Sequence, residues 1–248
     1  MGCNNSRHVL EMESRPIRPV TLSSHSAGSI MVPSSIFQDH PDELSRQQII
    51  DAFQQMAEYL NECGVSIDCV AVDGAVNTVY LRTRESTHDV EFLVNDPASK
   101  DNATLSNAAR FANSKAQEKL GDGWFTNSMQ LFMPRSAQTA LVQEAKKQNE
   151  IVFEHQGTNG GLRVYAAPWS FALCSKLNRL CDIDRSHDMD DAVAYLHRYL
   201  SLTGQDYVIA QEVYDWCQKY HQDVSREVLK RLEESYARKH GNWPIVWN

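Results

Sequence analysis

Apolar residues recur at helical spacing over residues 42–62, where Ile49, Ile50, Phe53, Met56, Ala57 and Leu60 share one face, and Gly64 follows as a stop. The period then changes. Residues 67–72 form a short buried strand, Gly74 turns the chain into a short helix over 75–82, and 88–94 is a second strand ended by Asn95-Asp96-Pro97. A polar helix is expected over 102–120, a strand over 129–133 and a helix over 136–148. A strand pair, 151–154 and 162–166, brackets the glycine-rich turn at 157–161. From Pro168 onward the pattern is helical throughout, over 168–181, 187–201, 206–220 and 225–239. Mixed strands and helices followed by helices alone predict an α/β (α+β) fold: a small mixed sheet with flanking helices over 41–167, then a C-terminal helical lobe over 168–248.

Residues 5–37 depart from this patterning. Eight serines and three prolines fall there with no apolar period, as expected for a disordered tether over 1–40. At its start, Met1-Gly2-Cys3-Asn4-Asn5-Ser6 fits the N-myristoylation pattern, a eukaryotic modification, with Cys3 placed for palmitoylation. One myristoyl chain binds a bilayer only marginally. Arg7, Arg15 and Arg18 stand against Glu11 and Glu13, so the second signal is expected at Cys3 rather than from a polybasic patch. The expected location is the cytoplasmic face of a membrane, lost on Gly2→Ala. The other reading of the motif is a chance match in a polar tail.

With 248 residues, 42% hydrophobic and 23% charged, the rest of the chain reads as an ordinary soluble globular protein. A net charge of -8 argues against nonspecific nucleic-acid binding. Six cysteines without a paired Cys-x-x-Cys element argue against zinc.

The candidate chemistry lies in two segments. Asp89 and Glu91, at i and i+2 of a strand, would point to one face and suit a divalent metal. His88 would point to the other face, as a packing residue. Standing alone, the carboxylates also fit a solvated strand face. The Gly74-Ala75 turn just before them adds small residues past which backbone N–H groups could meet phosphates. Downstream, Lys176 and Arg179 share a helix face, suited to contact with phosphates or with the Asp89/Glu91 site, or to a solvated edge. Arg185, Asp188 and Asp191 suit a salt-bridge network. Trp216, Tyr220, Trp243 and Trp247 are expected to cover the last helices, unless an exposed 243–247 tail docks on a partner or a membrane.

Val72-Asp73-Gly74-Ala75 followed by Asp89-Val90-Glu91-Phe92 resembles the signature of the nucleotidyltransferase-fold (polymerase-β-like) superfamily, with Ala75 where Gly or Ser is usual. Arg84-Glu85-Ser86-Thr87 ahead of Asp89 is similar to a frequent variant of it. Ala167-Pro168-Trp169-Ser170, Lys176-Leu177 and Arg185-x-x-Asp188-x-x-Asp191 resemble minimal nucleotidyltransferases of the antitoxin/toxin type. The resemblance covers about residues 45–200. It implies Mg²⁺ held by Asp89 and Glu91, which would be catalytic. It also implies a nucleoside triphosphate near Gly74, Ala75, Arg84 and Lys176, and transfer of a nucleotidyl group to an acceptor. The family's third acid is missing from the strand at 162–166, and Glu154 is the nearest substitute. A catalytically inactive, membrane-anchored nucleotide-binding or scaffold protein is therefore the alternative.

Overall fold

A computed structural model describes residues 43–96, 99–182 and 186–247. The acylation motif at Gly2 and Cys3, the tether and Arg185 lie outside them. The described residues belong to one compact unit, and their architecture is mixed α/β, around a five-stranded mixed sheet.

Strand β1 (Leu44–Ser45) leads into helix α1 (Arg46–Glu62) through a capping box: Gln48 N–H donates to the Ser45 hydroxyl, and the Ser45 N–H donates to the Gln48 side chain. Ile49, Phe53, Met56, Ala57 and Leu60 form its buried stripe, as their spacing requires. Strand β2 (Ser66–Val72) follows. A single six-residue π-helical stretch (Val76–Leu81) then connects to β3 (Ser86–Thr87) and β4 (Val90–Leu93). Helix α2 (Lys100–Lys115), β5 (Phe125–Thr126), a 3-10 turn (Ser128–Phe132) and α3 (Arg135–Gln148) come next. The hairpin of β6 (Ile151–Gln156) and β7 (Gly161–Ala166) completes the sheet, in the order β5-β4-β2-β7-β6. β2 runs antiparallel to β4 and parallel to β7.

Alternation along the strands divides the core. Ile67, Cys69 and Ala71 of β2 join Val90 and Phe92 of β4 in the cluster shared with α1 and α2. Val70, Val72 and Leu93 turn to the opposite face, against Leu141, Val142 and Ala145 of α3. Glu91 has the parity of Leu93, so it stands on the α3 face. The C-terminal helices α4 (Trp169–Asp182), α5 (Ser186–Thr203), α6 (Ala210–Lys219) and α7 (Arg226–His240) follow, with a small parallel pair, β8 (Val208–Ile209) and β9 (Ile245–Val246). Buried residues of α4, α5 and α7 extend the α1-side core.

Several boundaries differ from the sequence pattern. The segment expected as a strand over 129–133 is the 3-10 turn. Gln130 and Gln138 are buried there and donate to the Val94, Gln130 and Met133 carbonyls, so side-chain amides take up backbone acceptors that a ladder would have used. Helix α2 stops at Lys115 rather than near Gly121, because the Asn113 side chain accepts from the Leu120 N–H and holds the chain in a turn. The strand expected from residue 88 begins at Val90; Ser86 and Thr87 pair with β1 instead. The start of the helix expected over 206–220 is taken by β8. The glycine turn at 157–161 is a hairpin loop seated on Asn61, whose side-chain oxygen accepts from the Asn159 and Gly160 N–H groups.

Gly74 is small for a packing reason. A Cβ on it would lie 2.0 Å from the Thr87 hydroxyl and 2.9 Å from Thr87 Cβ. Gly74→Ala is expected to cost about 1–3 kcal/mol through overpacking, read as a lower thermal midpoint. Thr87→Ala in the same chain should recover part of that loss. A Gly74→Ala chain that melts like the parent would show that the β2–β3 contact yields freely.

Candidate functional site

Pairing of Val72 with Glu91 brings the end of β2 beside the start of β4. Asp73, in the left-handed region at φ 55°, turns the chain out of β2. Across from it, His88 and Asp89 form the bend that precedes β4. Gly74, Asp89, Glu91, Arg84 and Asp73 therefore line one open cleft of about 650 Å³, with His88, His187 and Arg179 on its walls. Four sequence-derived site residues, Gly74, Arg84, Asp89 and Glu91, meet there. His88 corrects the expectation of a packing residue: it is exposed on the cleft, because residues 88 and 89 lie outside the strand where alternation would have turned it inward.

Asp89 and Glu91 make no ion pair among the described residues. Burial pushes the Asp89 carboxyl above its ordinary value, and the Asp73 charge adds to this while His88 opposes it. Burial raises Glu91 as well, followed by repulsion from Asp89 and Asp73, with the Ser128 hydroxyl, which donates to Glu91 at 3.3 Å, pulling the other way. Ser128 carried no sequence signal; only the 3-10 turn places it there. Two carboxylates thus share one half-buried site and resist joint ionisation.

Lys176 is elsewhere. It is buried to 1% exposure, and its ammonium lies 2.8 Å from Asp188, 2.8 Å from Asp191 and in contact with Asp73. It is neither the phosphate contact nor the solvated edge that its spacing suggested. Arg84 pairs with Asp191 and lies 3.8 Å from Asp73, while Arg179 pairs with Asp73. Three cations and three carboxylates from the β2 turn, the Arg84 loop, α4 and α5 so close a neutral network beneath the cleft. Asp188 and Asp191 are fully buried in it, which fits their reading as structural residues. Asp73, given no role by sequence, is its hub. The adjacent Gly74 and the downstream Arg-x-x-Asp-x-x-Asp segment were the signals for it.

Burial pushes the Asp73 carboxyl up, but Lys176 and Arg179 outweigh it and hold the group below its ordinary value. Its stabilisation is therefore present above the usual aspartate pKa and is lost as pH falls through the depressed folded value. Thermal melts on the acid side should fall less steeply for Asp73→Asn than for the parent. Parallel acid limbs would remove Asp73 as a contributor.

Ala75 is fully buried and does not line the cleft. Glu154, the nearest substitute for a third acid, pairs with Arg163 on the β6–β7 hairpin, at the sheet edge remote from β4. Among the described residues no group of three His, Cys, Asp or Glu side chains is arranged to hold a metal ion. Beside the cleft lies a second cavity of about 310 Å³, lined by Met129, Met133, Phe171, Tyr220 and Ser175 among others. Arg179 borders both cavities, and Ser128, which reaches Glu91, immediately precedes Met129.

A family profile described as Domain of unknown function (DUF7582) matches residues 42–243. No curated protein and no solved structure matches the chain.

Proposed function

The chain belongs to the DUF7582 family, and we propose that it is a nucleotidyltransferase-like protein whose cleft takes a nucleoside triphosphate with Mg²⁺. The observation that carries this reading is the unpaired Asp89–Glu91 pair, held half-buried beside Gly74 while every neighbouring buried carboxylate of the network is matched by a cation. Such a pair is electrostatically unfavourable alone and suits a divalent cation. Mg²⁺ there would neutralise phosphate charge and assist displacement of pyrophosphate. Asp89 and Glu91 would hold it. Arg179 and Arg84, on the cleft wall, would meet phosphate oxygens, and Ser128 would orient Glu91. The adjoining cavity, with Phe171, Tyr220 and two methionines, offers apolar surface of nucleoside size.

The absence of an acid on β7, where the resembled superfamily places its general base, favours a second reading: nucleotide binding without transfer. Titration calorimetry with ATP, CTP, GTP and UTP, with and without Mg²⁺, tests the shared part. Mg²⁺-dependent heat with any of them supports it, and none with all four removes it. Pyrophosphate release then separates transfer from binding alone.

A further inference from the structure

The exposed large apolar side chains among the described residues are Leu202, Tyr207, Ile209, Trp243 and Val246, and all belong to the end of α5, the β8–β9 pair and their flanks. The pairing register explains the outward set. Val208 and Ile245 are Cα partners and both are buried, so the next pair, Ile209 and Val246, faces out together. Trp243 is 64% exposed, whereas Trp247 is partly buried and donates to Glu233. Of the tail expected to dock or to pack, Trp247 packs and Trp243 does not. Arg238 and Lys239, exposed in the last turn of α7, precede Trp243 and make no ion pair among the described residues; Asp206 is the acid in the loop before β8.

We infer that this patch is a membrane-interface contact that seats on an anionic lipid surface. Contiguous exposed apolar side chains mark interaction sites. Tyr and Trp side chains settle at the headgroup level, and adjacent Arg and Lys draw them to acidic lipids. The composition matches that chemistry more closely than a protein interface, whose buried centre is depleted of charge. No helix of the described residues is long and apolar enough to cross a membrane, so the contact lies on the surface rather than through it. The patch would act beside the acyl chains expected at Gly2 and Cys3, each of which alone binds only marginally, and it does not depend on the nucleotide reading.

The test uses the full chain made without acylation, carrying Gly2→Ala, so that failure of the N-terminal anchor and failure of the patch are separable. It should sediment with phosphatidylcholine vesicles containing phosphatidylserine and much less with phosphatidylcholine alone. Brominated lipid should quench part of its tryptophan fluorescence. Ile209→Glu with Trp243→Glu should reduce the partition coefficient about tenfold and abolish that quenching; Arg238→Glu with Lys239→Glu should weaken binding and its salt dependence. Circular dichroism melts confirm that the variants fold. Vesicle binding that survives both pairs, or its absence from the parent, overturns the inference. So does a concentration-dependent dimer that the Ile209/Trp243 pair dissolves, which would make the patch a contact between copies.

Discussion

Replacing Lys176 by Met should lower stability by about 3–5 kcal/mol, because it strips the shared cation from Asp73, at the cleft, and from Asp188 and Asp191, which are sealed from water. Asp188 and Asp191 are fully buried, and each lies 2.8 Å from the Lys176 ammonium. Arg84 and Arg179 remain, but each approaches the network from the cleft side and cannot fill the centre. For a domain of this size the loss corresponds to a fall in melting midpoint of about 6–20 °C. Removing one orphaned carboxylate alongside, as in Lys176→Met with Asp188→Asn, should recover part of the loss. The double-mutant cycle should give a coupling well outside additivity. A Lys176→Met chain that melts within a degree or two of the parent would mean that water or a rearranged arginine replaces the ammonium, and the network would not be what holds α4 and α5 to the β2 turn.

Asp89→Asn should do the reverse: abolish Mg²⁺-dependent nucleotide binding and leave the melting midpoint unchanged or a few degrees higher at neutral pH. Asp89 and Glu91 are both held above their ordinary pKa values, by burial first and then by neighbouring carboxylates. A raised folded-state pKa means that the folded chain favours the protonated form. Any stabilisation from it is present at low pH and disappears as pH rises through the raised value. At pH 7 the ionised pair therefore opposes folding, and the amide relieves this. The partial exposure of both groups keeps the effect small. Such stability given up at a site is characteristic of function. Calorimetry with ATP and Mg²⁺, together with melts of the same samples, reads both halves. Retained Mg²⁺-dependent heat removes Asp89 as a ligand, and a large drop in midpoint would make it a structural carboxylate.

Periodicity alone determined where α1, α3, α4, α5 and α7 would form and where the strands around Gly74 and Glu91 and the β6–β7 hairpin would lie. These elements bury wide apolar stripes or alternate cleanly, and local pattern carries that information. The spacing of Gly74, Asp89 and Glu91 within a single strand–turn–strand unit, together with the resemblance that added Arg84, brought these four residues into one candidate site. What tertiary structure decided depends on partners distant in the chain. Lys176 and Arg179 look equivalent on a helical wheel; only the packing of α4 against α5 and the β2 turn encloses the first among carboxylates and leaves the second at the cleft. Gly74 reads as a phosphate-approach glycine in sequence, yet Thr87 occupies the space its Cβ would need. The 129–133 segment has strand-like composition, but two buried glutamines from different elements take it into a turn. Period tells which face of an element is buried; only the assembled fold tells which charge finds a counter-charge, and among the described residues it leaves Asp89 and Glu91 without an ion pair.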